Sequence, residues 1–373
     1  MRIAVIGNTP LSIGLTLSAD LACLGHDVTL AGASKDEQNT IEHHLNLGLS
    51  IRHETAHLLS ETTGPVHGIR LAQMPIDAVS DAEIIFVDTP PTDIERRIAT
   101  FAPALSKGQH IHVQTHGYWA AFRTARILRE HGISDVTLSE CTSPTHAGGI
   151  MDGVITPHVV RKSLALGVFP SENTAHCAAL LGSILPIFDV KQDVLETNLE
   201  SMNFLVHPAI ALTGIGLFDV AKKEQRKIRF YQEGNSAAAG QLAEALDQER
   251  RPVLDRFGYP FRSLADQINV LYGGHGSSVQ EAIHNAPFYH ALPDLDPDIW
   301  RHWLSWDLPF AHIPFVRLSE MLGAPAPLHR GLVDILNAIL GEDYWAKGLT
   351  LEALGLAGLS VEDIKTYLRS GNR

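Results

Sequence analysis

The chain has 373 residues, 45% of them hydrophobic, and a formal net charge of −13. This length predicts about two domains, each able to bury its own core. The negative charge argues against nucleic acid and anionic membranes as partners, because binding phosphate groups needs a basic surface. No signal peptide and no apolar run of ~18 residues, the length of a membrane span, is visible. Three cysteines without paired spacing indicate reduced thiols in a cytoplasmic protein.

The first thirty residues are typical of a strand, a turn, a helix and a second strand, read as RIAVIG, the turn 7–12, an apolar helix and DVTLAG. A Rossmann turn has glycine at its first, third and sixth places. Only Gly7 is present, since Thr9 and Ser12 replace the other two. The element order and N-terminal position still favour a dinucleotide-binding turn; the alternative is an α/β domain that uses a glycine turn only structurally. The predicted cofactor contacts here are Gly7, Asn8, Thr9 and Pro10.

The end of the second strand indicates which dinucleotide binds. Enzymes that use NAD usually carry an acidic residue there for the ribose 2′-hydroxyl. This chain has Ala33, Ser34 and Lys35, with no carboxylate before Asp36. A hydroxyl and an ammonium group suit a 2′-phosphate, so NADPH is favoured over NADH.

Residues 53–57 read His-Glu-Thr-Ala-His, the pattern of a zinc-protease helix. In a chain with 20 histidines such a match arises readily by chance. It falls where a Rossmann unit places a surface helix, and no third ligand is evident on a neighbouring helix. A solvated helix is therefore expected, with no metal site.

Strands are predicted at about 83–87, 109–113 and 135–139, alternating with helices near 93–105 and 117–131. This alternation predicts a doubly wound parallel sheet. Ligands bind beyond the carboxyl ends of such strands, so Thr89, Gln114 and Thr115 are candidate cofactor contacts, with ordinary loop residues as the alternative. Segment 152–169 predicts two strands that extend the sheet.

Long helical patterns dominate after about residue 190, at 193–217, 222–256 and 308–340. The predicted fold class is α/β, with an N-terminal Rossmann-like doubly wound parallel sheet and a C-terminal mainly α-helical domain. The expected domains are residues 1–189, which bind the dinucleotide, and residues 190–373, which bind substrate and carry the catalytic group.

The segment VLETNLESMNFLVHP (194–208) places Asn203 four residues before His207, with Pro208 next. On a helix this spacing stacks the two side chains on one face, and the proline should bend the helix. An imidazole held in this way is a candidate general acid–base, with a packed core histidine as the alternative.

Five blocks give the chain a resemblance over nearly its whole length to the NAD(P)-dependent opine dehydrogenase family of the octopine/nopaline type. They are the N-terminal turn, NLESMNFLVHP, FYQEGN (230–235) with LDQERR (246–251), GSSVQEAIHNAPFY (276–289), and WRHWLSWDLPF (300–310) with LSEMLGAPAP (318–327). The turn, in the form G-x-T-P, most resembles the branch that makes opine-type metallophores.

The resemblance implies that an α-keto acid, pyruvate or 2-oxoglutarate, condenses with the amine of an amino acid or amino-acid derivative, and that nicotinamide hydride reduces the imine. The family's catalytic histidine and supporting aspartate fall on His207 and Asp307. A group with an ordinary pKa near 6.5 suits proton transfer at neutral pH, which agrees with this assignment. Asp307 before Leu308-Pro309 is also a typical helix N-cap, and the two roles are compatible.

The chain departs from the family pattern near Asp307. Octopine-type members carry an arginine five residues before the aspartate to bind the keto-acid carboxylate; here His302 holds that place and Arg301 precedes it. Trp306 stands where a glutamate is usual. These changes indicate a less charged, more aromatic cleft. The predicted substrate-binding residues are Asn203, Arg301, His302, Tyr231 and Gln232.

The enzyme is expected to be a homodimer. Two alternative functions remain open. A 2- or 3-hydroxy-acid dehydrogenase would reduce a keto acid with NADPH in the absence of amine. A non-catalytic dinucleotide-binding protein would bind NADPH tightly without turnover.

Overall fold

The computed structural model describes residues 1–54, 56–161 and 163–372. The chain divides into two units, the first made of residues 1–198 and 366–373 and the second of residues 199–365. The boundary expected between residues 189 and 190 falls inside a strand, Phe188–Val190, which pairs with the first unit's sheet. The observed division therefore differs from the expected one in two ways. The whole of this strand belongs to the first unit, and so do the last residues, 366–373.

The first unit is built on an eight-stranded sheet. Its strands in chain order are β1 (Arg2–Ile6), β2 (Asp27–Ala31), β5 (Ile69–Leu71), β6 (Ile84–Asp88), β7 (His110–Gln114), β8 (Thr137–Cys141), β11 (Leu164–Phe169) and β12 (Phe188–Val190). Its helices are α1 (Ile13–Cys23), α2 (Lys35–Leu47), α3 (Pro75–Val79), α4 (Ile94–Phe101), α5 (Ala120–Glu130), α6 (Thr174–Gly182) and α7 (Val194–Leu199), the last of which ends one residue into the second unit. Two 3₁₀ turns lie at Ala102–Ala104 and Ser171–Asn173.

The strand order is β12-β11-β8-β7-β6-β1-β2-β5, and the strands from β5 to β8 all run parallel. This is the doubly wound order in which the direction of winding reverses at β1, next to β6. The predicted α/β fold class is confirmed.

Residues 152–169 only partly extend this sheet. The second predicted run, β11, joins the main sheet antiparallel to β8. The first run instead forms β10 (Val154–Val160), part of a separate sheet whose other strands are β3 (Ser50–Ile51), β4 (Gly64–Pro65) and β9 (His146–Met151). The strand order of this sheet is β4-β3-β10-β9.

The helix expected over 53–57 is wrong. The surface helix after β2 is α2, and it ends at Leu47. His53, Glu54 and His57 lie in a loop after β3, where the two histidine ring centroids are 4.6 Å apart. The fifth residue of the motif, residue 55, lies outside the described residues.

Helix α1 is buried from Ile13 to Leu21 because it contacts the main sheet and also β9. Its one buried acid, Asp20, is hydrogen-bonded to the His146 ring at 2.8 Å and accepts the backbone N–H groups of Leu59 and Ser60. A carboxylate with several donors is tolerated inside a core, so these bonds stabilise Asp20 there.

The second unit is mainly helical, as predicted. Its helices are α8 (Asn203–Lys223), α9 (Phe230–Glu233), α10 (Ala237–Phe257), α11 (Leu264–Tyr272), α12 (Val279–Asn285), α13 (Pro287–His290), α14 (Ile299–Asp307), α15 (Ile313–Met321), α16 (Pro327–Leu340), α17 (Tyr344–Lys347), α18 (Leu351–Leu354) and α19 (Val361–Ser370), the last of which continues into the first unit. A π-helical turn, Leu308–His312, joins α14 to α15.

All three long predicted helices are divided. The pattern over 193–217 breaks after Leu199, at the end of α7, and resumes at Asn203, the start of α8. The pattern over 222–256 breaks after Lys223, where Gln225 has a left-handed φ of 54°, and resumes at α10. The pattern over 308–340 breaks between α15 and α16, at Gly323 with φ 67°. Apolar periodicity persists across such breaks because both flanking helices bury the same kind of face.

The segment Val194–Lys223 meets a length-and-composition criterion for a membrane span, although the sequence was expected to contain no such stretch. Within the structure, 61% of its most apolar window is buried, which is typical of a core helix.

Candidate active site

The second unit brings together two side chains that lie a hundred positions apart in the sequence. His207 projects from α8 and Asp307 is the last residue of α14, which packs against α8. The His207 Nδ1 atom lies 2.9 Å from the Asp307 Oδ2 atom, and the Asp307 side chain is fully buried. Because a carboxylate accepts and does not donate, Nδ1 carries the hydrogen of this bond. The pair therefore has the geometry of an oriented acid–base histidine.

Asp307 does not begin a helix. Its φ of −63° and ψ of −40° are helical, and the chain continues from it directly into the π-helical turn. An N-cap residue has non-helical dihedral angles, so the capping alternative is not realised.

Trp303 is a member of this site that the sequence analysis missed. Its ring stacks on the His207 imidazole with a centroid distance of 4.5 Å and an interplanar angle of 21°. Trp303 lies four residues before Asp307, so α14 presents both to the same neighbour. That spacing was the available signal, but a tryptophan on an amphipathic helix is more often ordinary core.

The other ring nitrogen of His207 is occupied by Tyr231, which was predicted to bind substrate. The Tyr231 hydroxyl lies 2.8 Å from Nε2, and the tyrosine is 9% exposed on α9. Next to it, the Gln232 side-chain Nε2 is buried and has no hydrogen-bond partner in the described part of the chain. An unsatisfied buried donor is costly, so Gln232 is able to receive a carbonyl or carboxylate oxygen.

The remaining predicted substrate residues occupy different positions. Asn203 is the half-buried first residue of α8, one turn before His207. Arg301 is exposed, pairs with Asp298 at 3.6 Å and lies over the Trp300 ring. His302 is exposed, with its ring 4.4 Å from that of Trp306. The structure thus joins Tyr231 to the His207–Asp307 pair, whereas Arg301 and His302 contact other residues of α14 and its start.

In the first unit, the turn after β1 is as tight as a dinucleotide-binding turn requires. Gly7 has φ 95°, and a Cβ there would overlap the Asp88 carbonyl oxygen and the Arg97 side chain. A Cβ on Gly14 would overlap the Gly7 carbonyl oxygen. Gly14, two residues beyond the expected last glycine at position 12, therefore permits the close approach of α1 to the turn.

Side chains replace the missing middle glycine in shaping this turn. The Asp88 carboxylate, at the end of β6, accepts the Thr9 N–H at 2.7 Å, the Thr9 hydroxyl at 3.0 Å and the Gly14 N–H at 3.1 Å. The Asn8 side chain accepts the Leu15 N–H at 3.0 Å. Burial raises the pKa of Asp88 to about 6, although these donors lower it. Pro10 is exposed at the tip of the turn.

A carboxylate that the sequence analysis missed lies just after β2, at the start of α2. Glu37, in the first turn of α2, accepts the Asn8 and Ala33 N–H groups, each at 3.1 Å, and pairs with buried Arg97. The Ser34 hydroxyl caps α2 by accepting the Glu37 N–H, and Lys35 is exposed. The sequence signal was the capping-box spacing of Ser34 and Glu37.

Three further predicted cofactor contacts lie at the carboxyl ends of β6, which is beside β1, and of β7, the next strand in the sheet. Thr89 is buried, and its hydroxyl donates to the Pro90 carbonyl at 2.9 Å. Gln114 is bonded at both ends of its amide by Thr145, and Thr115 is buried. The turn, Thr89 and Thr115 therefore follow neighbouring strands at the point where the strand order reverses. This arrangement, with the close approach at Gly7 and Gly14, fits a dinucleotide.

Among residues 1–54, 56–161 and 163–372, no group of three or more His, Cys, Asp or Glu side chains is arranged to hold a metal ion.

Comparisons with known proteins agree with this architecture. Residues 190–340 match the family described as NAD/NADP octopine/nopaline dehydrogenase, alpha-helical domain. An opine dehydrogenase from Arthrobacter sp. (strain 1C) is 26% identical over 78% of this chain and 79% of its own length.

Two solved structures share the fold. An octopine dehydrogenase in complex with NADH and agmatine superposes with a TM-score of 0.78 at 18% identity, covering 100% of this chain and 98% of its own. A yersinopine dehydrogenase with NADP+ bound gives a TM-score of 0.66 at 14% identity, covering 99% and 98%. Residues 190–340 thus match the α-helical domain of the octopine/nopaline dehydrogenase family, and over most of its length the chain is similar to NAD(P)-dependent opine dehydrogenases.

Proposed function

We propose that the protein is an opine dehydrogenase that joins an α-keto acid to the amine of an amino acid, or of an amino-acid-derived metallophore precursor, by NADPH-dependent reductive condensation. The observation that carries the proposal is the His207 ring, oriented by Asp307, covered by Trp303 and hydrogen-bonded to Tyr231. This arrangement supplies a proton carrier within a buried aromatic site.

The chain's own residues perform the proton transfers of the reaction. Asp307 fixes the tautomer of His207 and stabilises its charged form after the ring takes a proton from the substrate ammonium group. The same ring returns protons to the keto oxygen, which leaves as water. Acid–base help of this kind is worth roughly 10²–10⁴ in rate. When bound, the dinucleotide supplies the hydride that reduces the imine carbon.

Residues at the start of α2 support a preference for NADPH over NADH. The N-terminus of this 13-residue helix, the Ser34 hydroxyl and the exposed Lys35 ammonium group all favour a 2′-phosphate. Glu37 opposes it, because a carboxylate at this position repels phosphate and can bind a ribose hydroxyl. Lys35→Ala should lower the ratio of kcat/KM for NADPH to that for NADH, whereas Glu37→Gln should raise it. An unchanged ratio in Lys35→Ala would contradict the preference.

The aromatic surroundings of His207 support an amine substrate with an apolar or aromatic side chain. The rings of Phe230, Tyr231 and Trp303 all lie within 6.2 Å of the imidazole, measured between centroids. The buried Gln232 side-chain Nε2, which has no hydrogen-bond partner among the described residues, can donate to a substrate carboxylate. We therefore expect pyruvate or 2-oxoglutarate with an aromatic, histidine-derived or branched-chain amine to outperform the same keto acid with arginine.

The test is NADPH oxidation over a matrix of keto acids and amines, with His207→Ala as the control. The proposal expects oxidation that requires both substrates and falls at least a hundredfold in the variant. Oxidation with a keto acid alone would instead identify a hydroxy-acid dehydrogenase. Tight NADPH binding without turnover across the matrix would identify a binding protein.

We propose further that the enzyme is a cytoplasmic homodimer. Its cysteines, Cys23, Cys141 and Cys177, are all free thiols, which suits a reducing compartment. One face of α16 carries three apolar side chains that are 41–50% exposed: Leu328, Ile335 and Ile339. Apolar side chains that form a subunit interface are exposed in this way in an isolated chain. Light scattering at micromolar concentration tests the dimer, and a monomeric mass would contradict it.

A further inference from the structure

The hydrogen bonds of His207 determine which of its nitrogens can serve the substrate. Nδ1 donates to Asp307, so the neutral ring has its lone pair on Nε2. The Tyr231 hydroxyl lies 2.8 Å from Nε2 and therefore donates to it in this state. When the ring is protonated, Nε2 becomes the donor and the hydroxyl oxygen accepts. The phenol hydrogen then points away from Nε2.

Packing closes the other approaches to the ring. Trp303 stacks on the imidazole, and Phe230 meets it edge-on with centroids 6.2 Å apart. The His207 side chain is 9% exposed. Access to Nε2 is thus through the position that the Tyr231 hydroxyl already holds.

Tyr231 is itself held firmly in place. Its ring lies 4.4 Å from the Tyr289 ring and 6.0 Å from the Trp303 ring, between centroids. An aromatic side chain packed in this way keeps its hydroxyl within reach of Nε2 at small entropic cost. The phenol is therefore a fixed extension of the histidine.

We propose, on the basis of the reaction proposed above, that Tyr231 is a catalytic residue that carries protons between His207 and the substrate. The amine enters as an ammonium ion, and one of its protons passes to the phenol oxygen while the phenol proton passes to Nε2. The free amine then attacks the keto carbon, forming the C–N bond, and the carbonyl π electrons move to oxygen. That oxygen takes the phenol proton as the phenol takes one from Nε2.

The second half of the relay removes water. The new C–N nitrogen, now positively charged, returns one proton to His207 through Tyr231. The hydroxyl group then takes that proton by the same path and leaves as water, and the C=N bond forms. Hydride reduces this bond to the secondary amine. Ammonium, keto acid and hydride thus give secondary amine and water, with protons and charge balanced and both side chains restored.

The test compares Tyr231→Phe with Tyr289→Phe. Tyr289 is 4% exposed, and its ring packs against that of Tyr231. Each variant loses one hydroxyl and keeps its ring. We expect Tyr231→Phe to lower kcat roughly 10²–10³-fold, with little change in the Kd for NADPH, and Tyr289→Phe to lower it less than about threefold. A thermal-unfolding midpoint near that of wild type confirms that each variant is folded.

Two further readouts separate proton transfer from simple positioning of His207. 3-Fluorotyrosine at position 231, which lowers the phenol pKa, should shift the alkaline limb of the kcat–pH profile to lower pH. The proton inventory in mixed H₂O and D₂O should be curved in wild type and linear in Tyr231→Phe. A Tyr231→Phe enzyme with kcat within threefold of wild type, or a fluorotyrosine enzyme with an unshifted profile, overturns the relay. If the relay is overturned but the wild-type enzyme still shows amine-dependent turnover, the proposed function remains supported. If the wild-type enzyme shows no amine-dependent turnover, both the relay and the proposed function are overturned.

Discussion

His112 makes the first unit sensitive to acid. This residue of β7 is fully buried against Phe86 and Phe188, and burial lowers its pKa to about 3 from the ordinary 6.5. Its Nδ1 is bonded to the Ser139 hydroxyl at 2.7 Å, and its Nε2 has no partner within the described ranges. An imidazolium there would place an unpaired charge in the core, so the folded state keeps the ring neutral.

The sign and size of the effect follow from linkage. Below pH 6.5 the unfolded chain binds a proton at this histidine and the folded chain does not, so the contribution to stability is present above pH 6.5 and is lost as pH falls towards 3. Each pH unit is worth about 1.4 kcal/mol, so His112 alone removes about 2 kcal/mol between pH 7.5 and pH 5. That is a large part of the roughly 5–15 kcal/mol that stabilises a typical domain.

His112→Phe removes the titrating group and packs against the same aromatic neighbours, at the cost of the bond to Ser139. We expect its free energy of unfolding to fall about 2 kcal/mol less than that of wild type between pH 7.5 and pH 5, whatever its value at pH 7.5. Urea unfolding followed by far-UV circular dichroism at several pH values measures this difference. His67→Gln, which replaces an exposed histidine, serves as the control and should follow wild type. Parallel pH dependences for His112→Phe and wild type would refute the reasoning.

Three other substitutions test the site and its support. Asp307→Asn should lower kcat roughly 10²–10⁴-fold with an unchanged unfolding midpoint, because the tautomer of His207 is no longer fixed; a kcat near wild type would contradict the assigned pair. Gly14→Ala should destabilise the protein by about 1–3 kcal/mol, since its Cβ would overlap the Gly7 carbonyl. Gly216→Ala, at an open helix position, should instead stabilise the protein by about 0.5–1 kcal/mol. Equal effects of the two substitutions in a urea titration would exclude the close approach at Gly14. Burial raises the pKa of Glu140 to about 8, so its contribution to stability is lost as pH rises from 4.5 to 8. Glu140→Gln should therefore raise the unfolding midpoint, relative to wild type, more at pH 8 than at pH 5. A difference in midpoint between the two proteins that does not depend on pH would argue against this reasoning.

The sequence predicted the elements of the first unit well because apolar alternation reports burial directly. It could not predict which partner each strand would find. The run 164–169 is apolar throughout, and such a run fits a parallel or an antiparallel neighbour equally, so the antiparallel pairing of β11 was not foreseeable. The short strands β3 and β4 have two residues each, too few to show any periodicity.

The sequence also singled out His207 and Asp307, which the structure brings into contact, but only part of their surroundings. His207 and Asp307 were recognisable because each stands in a distinctive local pattern. Tyr231 was expected at the site and Trp303 was not, although its spacing from Asp307 was visible. That both contact His207 depends on how three separate helices pack, which no local pattern encodes. Arg301 illustrates the converse: its neighbouring position suggested a role, yet α14 directs it to Asp298, because two residues along a helix turn a side chain by about 200° from Trp303.

The turn after β1 explains why the number of glycines alone is a poor guide to whether the turn fits a dinucleotide. A dinucleotide-binding turn needs a tight bend, satisfied N–H groups and a closely packed helix, and glycine is one means to each. Here the Asp88 carboxylate holds Thr9 by its N–H and its hydroxyl, so a threonine replaces the middle glycine without loss of shape. Gly14 provides the close helix contact in place of the glycine expected at position 12. A threonine in the third place of the turn, paired with an aspartate at the end of the neighbouring strand, is therefore an alternative solution to the same geometric problem. It is visible in a sequence only when the two segments are read together.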